Sequence, residues 1–268
     1  MSIKQRNLPP FIAYRGGKSR LAEKIVKEIP KHTMYVEPMV GGGSVYFAKE
    51  STECKNKKKC EVIADVDKSL MNFYKTLKSG KVEKCNLTPS RHKLKDIQSK
   101  RSKGKPLSGC DYLYLNKLSF GGTGTSYSKG RFEKCKGKDA KKCGIKTKKV
   151  EKYKDRMKNT KIENSDLRKT ITKHDSKGTV FYIDPPYAET NRGGYVEKTI
   201  QPEHVKQALN KIKGKVILSY NDTKKVREAF CKNSKYNCKK VNTTYTMSNT
   251  GNRKVGKELI IKNFKAKK

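Results

Sequence analysis

Acidic side chains are scarce in this 268-residue chain: 25 Asp and Glu stand against 65 Lys and Arg, a formal net charge of +40. A field of that sign and size argues for a polyanionic partner, because it steers nucleic acid and releases counterions on binding. A lysine-favouring, AT-rich genome accounts for part of the excess, so charge points to nucleic acid without saying which kind. No apolar run is long enough to span a membrane and no signal peptide is recognisable, which excludes a membrane partner and sets an intracellular, unsecreted location as the expectation: cytoplasm or nucleoid, or an infected host cell if the chain is viral. The eight cysteines (Cys54, Cys60, Cys85, Cys110, Cys135, Cys143, Cys231 and Cys238) form no Cys-x-x-Cys, no Pro-Cys and no paired His spacing. A zinc site is therefore not expected, no metal is assigned, and a reducing compartment makes disulfides unexpected as well. Apolar residues reach only 33%, against 34% charged. They nevertheless cluster into readable strands, so a folded enzyme with a strongly hydrated surface is expected, as one large domain or one domain with an insertion.

The stretch Thr179-Val-Phe-Tyr-Ile-Asp-Pro-Pro-Tyr187 organises the rest. Its apolar run predicts a buried central strand that ends in a rigid turn, and such strand ends are where open α/β sheets hold ligands. Two prolines fix φ and remove N–H groups, so the segment neither extends the strand nor coils into a helix. Asp184 and a proline carbonyl are then left as acceptors for a ligand with two N–H groups, and Tyr187 offers a flat face for stacking on a base. An exocyclic base amine fits.

Upstream, Pro10–Lys18 approaches a Gly-Gly turn, with Ser19 as an expected N-cap and a helix ending before Pro30. Backbone N–H groups and Lys18 in this loop suit an anionic or carboxylate group. Thr33–Glu37 predicts the first buried strand, and Pro38-Met-Val-Gly-Gly-Gly-Ser44 a Gly-rich loop into a helix over 44–49, where glycines let a cofactor approach the backbone. The spacing is not G-x-G-x-x-G, which argues against a dinucleotide. Glu61–Asp65 is a second strand ending in a carboxylate suited to ribose hydroxyls, and Asp67 is a cap for a helix over 68–77. From Lys81 to Lys158 the chain is strongly basic, with one packed helix expected at Cys110–Leu118, followed by a glycine-punctuated stretch carrying Phe120, Tyr127 and Phe132. Bases and aromatics so mixed suit phosphate neutralisation and wedging between bases. Further strands are expected at 161–163, 215–219, 236–247 and 258–264, and helices at 201–213 and 222–231.

In this order the parts resemble the Dam-type DNA adenine-N6 methyltransferases over nearly the whole chain. Phe11–Lys18 is similar to that family's N-terminal cofactor motif, Val36–Ser44 to its Gly-rich loop, Ile63-Ala-Asp65 to its ribose-binding strand end and Leu113–Asn116 to the start of its recognition hairpin. Asp184–Tyr187 resembles its catalytic motif; Leu218–Thr223 and Ser248–Arg253 also fit. The resemblance implies a Rossmann-like class I methyltransferase sheet, formed by residues 1–80 and 160–268, with an inserted, basic helical or hairpin DNA-recognition domain over 81–159. It implies S-adenosyl-L-methionine held by Tyr14, Gly16, Gly17, Lys18, Glu37, Pro38, Gly41, Gly43, Ser44, Asp65, Asp166 and Asp184. The catalytic group is Asp184, Pro185, Pro186 and Tyr187. Double-stranded DNA is met by Asn116, Lys117, Phe120, Thr123, Thr125, Tyr127, Arg131, Asn249 and Arg253.

The implied activity is site-specific transfer of a methyl group to N6 of a flipped adenine. Two positions depart from GATC-specific members: Thr125 replaces a guanine-reading arginine and Ala13 a basic residue, so specificity is expected to change or relax and GATC is not assumed. A cognate restriction endonuclease is a further partner the resemblance allows, and a monomer or weak dimer is expected. Two alternatives stay open at this point: a cytosine-N4 methyltransferase, and a non-catalytic DNA-binding protein on a methyltransferase fold.

Overall fold

The computed structural model describes residues 8–54, 60–124, 132–133, 149–186, 200–232, 234–244 and 255–265. Seven strands form one sheet in the order β3-β2-β1-β4-β5-β7-β6: β1 (Met34–Glu37), β2 (Glu61–Asp65), β3 (Thr160–Asn164), β4 (Thr179–Ile183), β5 (Lys215–Asn221), β6 (Asn237–Thr244) and β7 (Val255–Lys262). β1 to β5 pair in parallel, whereas β7 runs antiparallel to both β5 and β6. The central strands are apolar on both faces, as parallel sheets covered on two sides require. Tyr35, Val180 and Ile217 join one hydrophobic cluster, and Val36, Phe181 and Leu218 join the other.

Eight helices are described besides shorter turns: α1 (Ala22–Lys27), α2 (Ser44–Ala48), α3 (Lys68–Lys78), α4 (Arg91–Ser102), α5 (Gly109–Leu118), α6 (Val150–Met157), α7 (Leu167–His174) and α8 (Pro202–Ala208). α3 begins where its cap predicts, with the Asp67 carboxylate accepting from the Ser69 and Leu70 N–H groups. Ser19 does not cap α1. Turns through Lys18 and Leu21 delay the helix to Ala22, and the Ser19 hydroxyl lies 3.3 Å from that of Ser44 instead. The helix expected over 201–213 stops at Ala208. The one expected over 222–231 divides into a short turn, Lys224–Val226, capped by Thr223, and a π-helical turn, Arg227–Cys231; Asp222 is held outside it by the Arg227 guanidinium at 2.5 and 2.7 Å.

The basic segment is more helical than its composition suggests. α4 is capped by Ser90 and α5 by Ser108, and α6 closes the segment. α4 carries little apolar signal because only Leu94 and Ile97 are buried on it. Those two, with Leu113, Tyr114, Tyr153 and Met157, share one hydrophobic cluster with Phe73 and Leu77 of α3, so the described part of the segment is continuous with the core of the sheet domain.

A buried ion cluster ties this segment to the sheet. Glu61, 2% exposed, takes Lys49 Nζ and Arg156 Nη1 at 2.5 Å each, while Arg156 Nη2 donates to the Tyr46 carbonyl at 2.7 Å. Burial opposes the charge on Glu61, but Arg156 and Lys49 outweigh it and hold the carboxyl down at about 2. Removing one partner of such a cluster strands the others. Glu61→Gln is expected to lower unfolding free energy by about 3–5 kcal/mol in urea titrations near neutral pH. Because the folded value lies below the ordinary one of 4.5, this contribution is present above that pH and lost as pH falls through about 2.

Three disulfides overturn the expectation of free thiols: Cys54–Cys60, Cys85–Cys110 and Cys231–Cys238, with Cα atoms 5.6, 5.3 and 5.7 Å apart. The chain brings each pair together through a fold contact that no short spacing motif encodes. Cys110 opens α5 beside the segment that leaves the turn Lys81–Lys84, and the Arg227–Cys231 turn lies against β6. Cys135 and Cys143 fall outside the described residues. Closing a loop of 25 residues, the Cys85–Cys110 bond is expected to stabilise by on the order of 3 kcal/mol. Urea unfolding of the Cys85→Ser, Cys110→Ser double variant checks this; equal midpoints for both proteins would refute it.

Candidate active site

Between the carboxyl ends of β1 and β4 the loops part and leave an open cleft of about 1260 Å³, solvent at its mouth included. Its floor comes from two loops pressed together. Gly41 has φ +47°, and a Cβ there would stand 2.7 Å from Tyr14 Cε1; one on Gly42 would stand 2.6 Å from Tyr14 Cβ. Only glycine lets the Tyr14 ring lie over this turn. The loop is held from below by the Tyr74 hydroxyl, which donates to the Gly41 carbonyl at 2.7 Å.

Four carboxyls line the cleft: Asp67, already engaged as the cap of α3, and Asp65, Glu37 and Asp184. Asp65, at the end of β2, accepts from the Gly41 N–H and the Asp67 N–H, both at 3.1 Å, and so joins the second strand end to the glycine loop. Burial outweighs these two hydrogen bonds and pushes it up to about 6. Glu37, at the end of β1 and 2% exposed, accepts the Tyr35 hydroxyl at 2.6 Å. Its burial dominates over that bond and raises it to about 8, so the side chain is largely neutral at pH 7. Asp184, just beyond β4, is paired with Lys18 Nζ at 2.8 Å and accepts the Ser219 hydroxyl at 2.8 Å. The ion pair does not seal the cleft: Asp184, Pro185 and Pro186 all remain on its wall.

Of the residues expected to hold the cofactor, Tyr14, Gly16, Gly17, Lys18, Glu37, Gly41, Gly43, Ser44, Asp65 and Asp184 line this one cleft. Two do not. Pro38 is buried and off the cleft lining, and Asp166 caps α7, accepting from the Lys169 N–H at 2.9 Å. Among the DNA candidates, Asn116 and Thr123 reach the cleft. Asn116 is 5% exposed and its amide is spent on backbone: it accepts from the Ala13 N–H at 3.2 Å and donates to the carbonyls of Ala13 at 2.7 Å and Gly122 at 3.1 Å. It clasps the N-terminal loop to the segment after α5. Lys117 Nζ points back to the Phe11 carbonyl at 3.5 Å, and Phe120 opens the turn Phe120–Gly122. Thr125, Tyr127, Arg131, Tyr187, Asn249 and Arg253 lie outside the described residues.

Sequence reasoning missed Arg101, Tyr112, Tyr182 and Ser219. Arg101 and Tyr112 reach the cleft from α4 and α5, and Arg101 Nη1 donates to the Thr123 carbonyl at 2.9 Å; no periodicity announces either. Tyr182 was legible in principle, being two residues before Asp184 on the same strand face. Ser219 showed only as a hydroxyl inside an apolar run. Among the described residues no three or more His, Cys, Asp or Glu side chains converge so that they could hold a metal ion.

A mostly parallel sheet closed by an antiparallel hairpin, with a glycine loop after β1, a carboxylate after β2 and Asp-Pro-Pro after β4, defines a Rossmann-like methyltransferase. Residues 14–247 match the D12 class N6 adenine-specific DNA methyltransferases, and the chain belongs to that family. It is 27% identical to a DNA adenine methylase of Haemophilus influenzae over 249 residues, 82% of each chain. A DNA adenine methylase of Vibrio cholerae is 25% identical over 272 residues, 94% of this chain and 95% of that one. The type II methyltransferase M.MjaIII of Methanocaldococcus jannaschii is 26% identical over 209 residues, 68% and 70% of the two chains. The protein is thus an adenine-specific DNA methyltransferase, with DNA as substrate and a methyl donor as co-substrate.

Glu37 gives the ligand-free protein a defined pH response. Its folded value, about 8, lies above the ordinary 4.5, so its contribution to stability is complete below 4.5 and lost as pH rises through about 8. Glu37→Gln keeps a neutral side chain throughout. The melting temperature of the variant relative to the parent is expected to climb between pH 5 and pH 8.5, and a difference that stays flat across that range contradicts the assignment.

Proposed function

We propose that the cleft binds S-adenosyl-L-methionine and that Asp184 and the Pro185 carbonyl receive the amino group of an adenine turned out of double-stranded DNA. The chemistry of the lining supports this donor. The glycine turn, which a Cβ would fill, allows close backbone approach, Asp65 suits ribose hydroxyls, and Glu37 is a buried carboxyl whose ionisation a neighbouring cation would favour. When bound, the cofactor supplies an electrophilic methyl group on a positively charged sulfur.

The chain's own residues act on the acceptor. The adenine amine is a weak nucleophile because its lone pair is drawn into the ring. Two acceptors on its hydrogens favour the pyramidal form and the positive charge that grows on nitrogen, helping the transition state more than the ground state. Extruding the base costs a few kcal/mol, offset by stacking on Tyr187 and by a residue such as Phe120 filling the gap. The +40 charge holds the duplex, and the basic segment 81–159 reads it. With Thr125 in place of a guanine-reading arginine and Ala13 in place of a basic residue, specificity for GATC is changed or relaxed.

The observation that carries this reading is the placement of Asp184 at the end of the central strand, on the same cleft wall as Glu37 and Asp65. Asp184→Ala is expected to lower methyl transfer by a factor on the order of 1000 or more while duplex binding persists. Mass spectrometry of nucleosides after incubation with labelled donor reads both the loss and the modified base. Undiminished N6-methyladenine from the variant removes Asp184 from this role, and N4-methylcytosine from the parent protein would replace the acceptor.

A further inference from the structure

Asp184 has two carboxylate oxygens, and among the described residues Ser219 and Lys18 meet the same one. Ser219 Oγ donates to Oδ1 at 2.8 Å, and Lys18 Nζ lies 2.8 Å from Oδ1. Ser219 does not act alone, since its Oγ is 2.8 Å from the Tyr182 hydroxyl. A carboxylate only accepts, so Ser219 donates to Asp184 and the Tyr182 hydroxyl must donate to Ser219. Burial first, then the charge of Asp184, push the Tyr182 hydroxyl well above its ordinary value, so it keeps the proton this order requires. Tyr182 is 4% exposed and Ser219 1% exposed, so both hydroxyls are largely withdrawn from solvent.

The sheet explains why these three meet. β4 and β5 run in parallel with Ile183 opposite Leu218, so the next residues along, Asp184 and Ser219, are neighbours across the same ladder. Tyr182 precedes Asp184 by two and shares its face. On β5 the residues before Ser219 (Val216, Ile217 and Leu218) are apolar and fully buried, and Tyr220 after it is 1% exposed. Within this buried stretch the Ser219 hydroxyl meets both Asp184 and Tyr182.

We infer that Ser219, braced by Tyr182, is a positioning residue that holds Asp184 by Oδ1 so that Oδ2 is presented to the amine being methylated. This rests on the reading of Asp184 as the amine acceptor. Lys18 approaches the same oxygen from the cofactor loop, and it also donates to the Gly16 carbonyl at 3.1 Å. Ser219 comes from the sheet and holds its geometry whatever that loop does.

Steady-state kinetics on the full-length chain test this, with labelled donor and duplex DNA both taken to saturation. Ser219→Ala is expected to lower kcat by on the order of 100-fold, the effect of a misplaced catalytic group, while KM for donor and DNA moves less than about twofold. Ser219→Thr, which keeps the hydroxyl, restores most of the rate. Ser219→Ala orphans the Tyr182 hydroxyl and so risks the fold; the double variant with Tyr182→Phe leaves no orphan and is expected to be as slow as Ser219→Ala while melting near the parent. A double variant that regains parental kcat shows that Ser219 serves only to satisfy Tyr182 and overturns the inference, as does a parental kcat for Ser219→Ala. The two failures are separable: if Asp184→Ala is active the acceptor reading falls, whereas a dead Asp184→Ala beside an unaffected Ser219→Ala sinks the positioning role alone.

Discussion

The pairing of β1 with β4 is the constraint from which the site follows. These strands are distant in sequence and adjacent in the sheet, with Tyr35 opposite Val180 and Val36 opposite Phe181. The strand order reverses between them, so the chains leaving their carboxyl ends diverge and open a crevice that nothing in the sheet can fill. Everything chemically active is delivered to that crevice from a strand end: Glu37 from β1, Asp65 from β2, Asp184 from β4. The N-terminal loop reaches the same place without a strand of its own, because Gly41 and Gly42 leave room for the Tyr14 ring.

Charge is handled differently inside this protein than on its surface. The surface is a solvated basic field suited to a polyanion, but the interior holds a few carboxyls in separate states. Glu61, between Lys49 and Arg156, is kept ionised and fastens the end of the basic segment to the sheet. Glu37 accepts the Tyr35 hydroxyl, and burial outweighs that bond and the charges of Lys49 and Arg156, so it is kept largely neutral. The two glutamates are on adjacent strands, and what separates their behaviour is the company each keeps. A neutral carboxyl on a cleft wall is a site for an incoming cation, while an ionised one in a cluster is a structural rivet.

The described part of the basic segment does two things. Leu94, Ile97, Leu113 and Tyr114 make it part of the main core, and Arg101, Tyr112, Asn116 and Thr123 give it a share of the cleft wall. Asn116, bonded to Ala13 on one side and Gly122 on the other, joins the N-terminal loop of the cleft to the turn that follows α5. The cleft and the described part of the basic segment are thereby adjacent parts of one packed unit.

The sequence alone determined the strands with strong apolar runs, the Asp67 cap, the glycine turn and the strand-end carboxylates, because each depends on local alternation, local capping or local backbone freedom. It also led to the family, since several motifs in one order are far more specific than any single one. Tertiary structure decided the rest. α4 was invisible because two apolar residues in twelve suffice once a neighbouring helix supplies the other half of the contact. The disulfides were invisible because cysteine pairing depends on where turns and helix ends meet in space, and Asp166, placed like a ligand, became a cap because α7 begins at the next residue, Leu167, and the Lys169 N–H takes its carboxylate. Ser219 acquired its partner only through the β4–β5 register, which aligns residues 35 positions apart. Motifs record which groups a reaction needs; only cross-strand and loop-to-loop contacts decide which oxygen of which carboxylate is left facing the cleft.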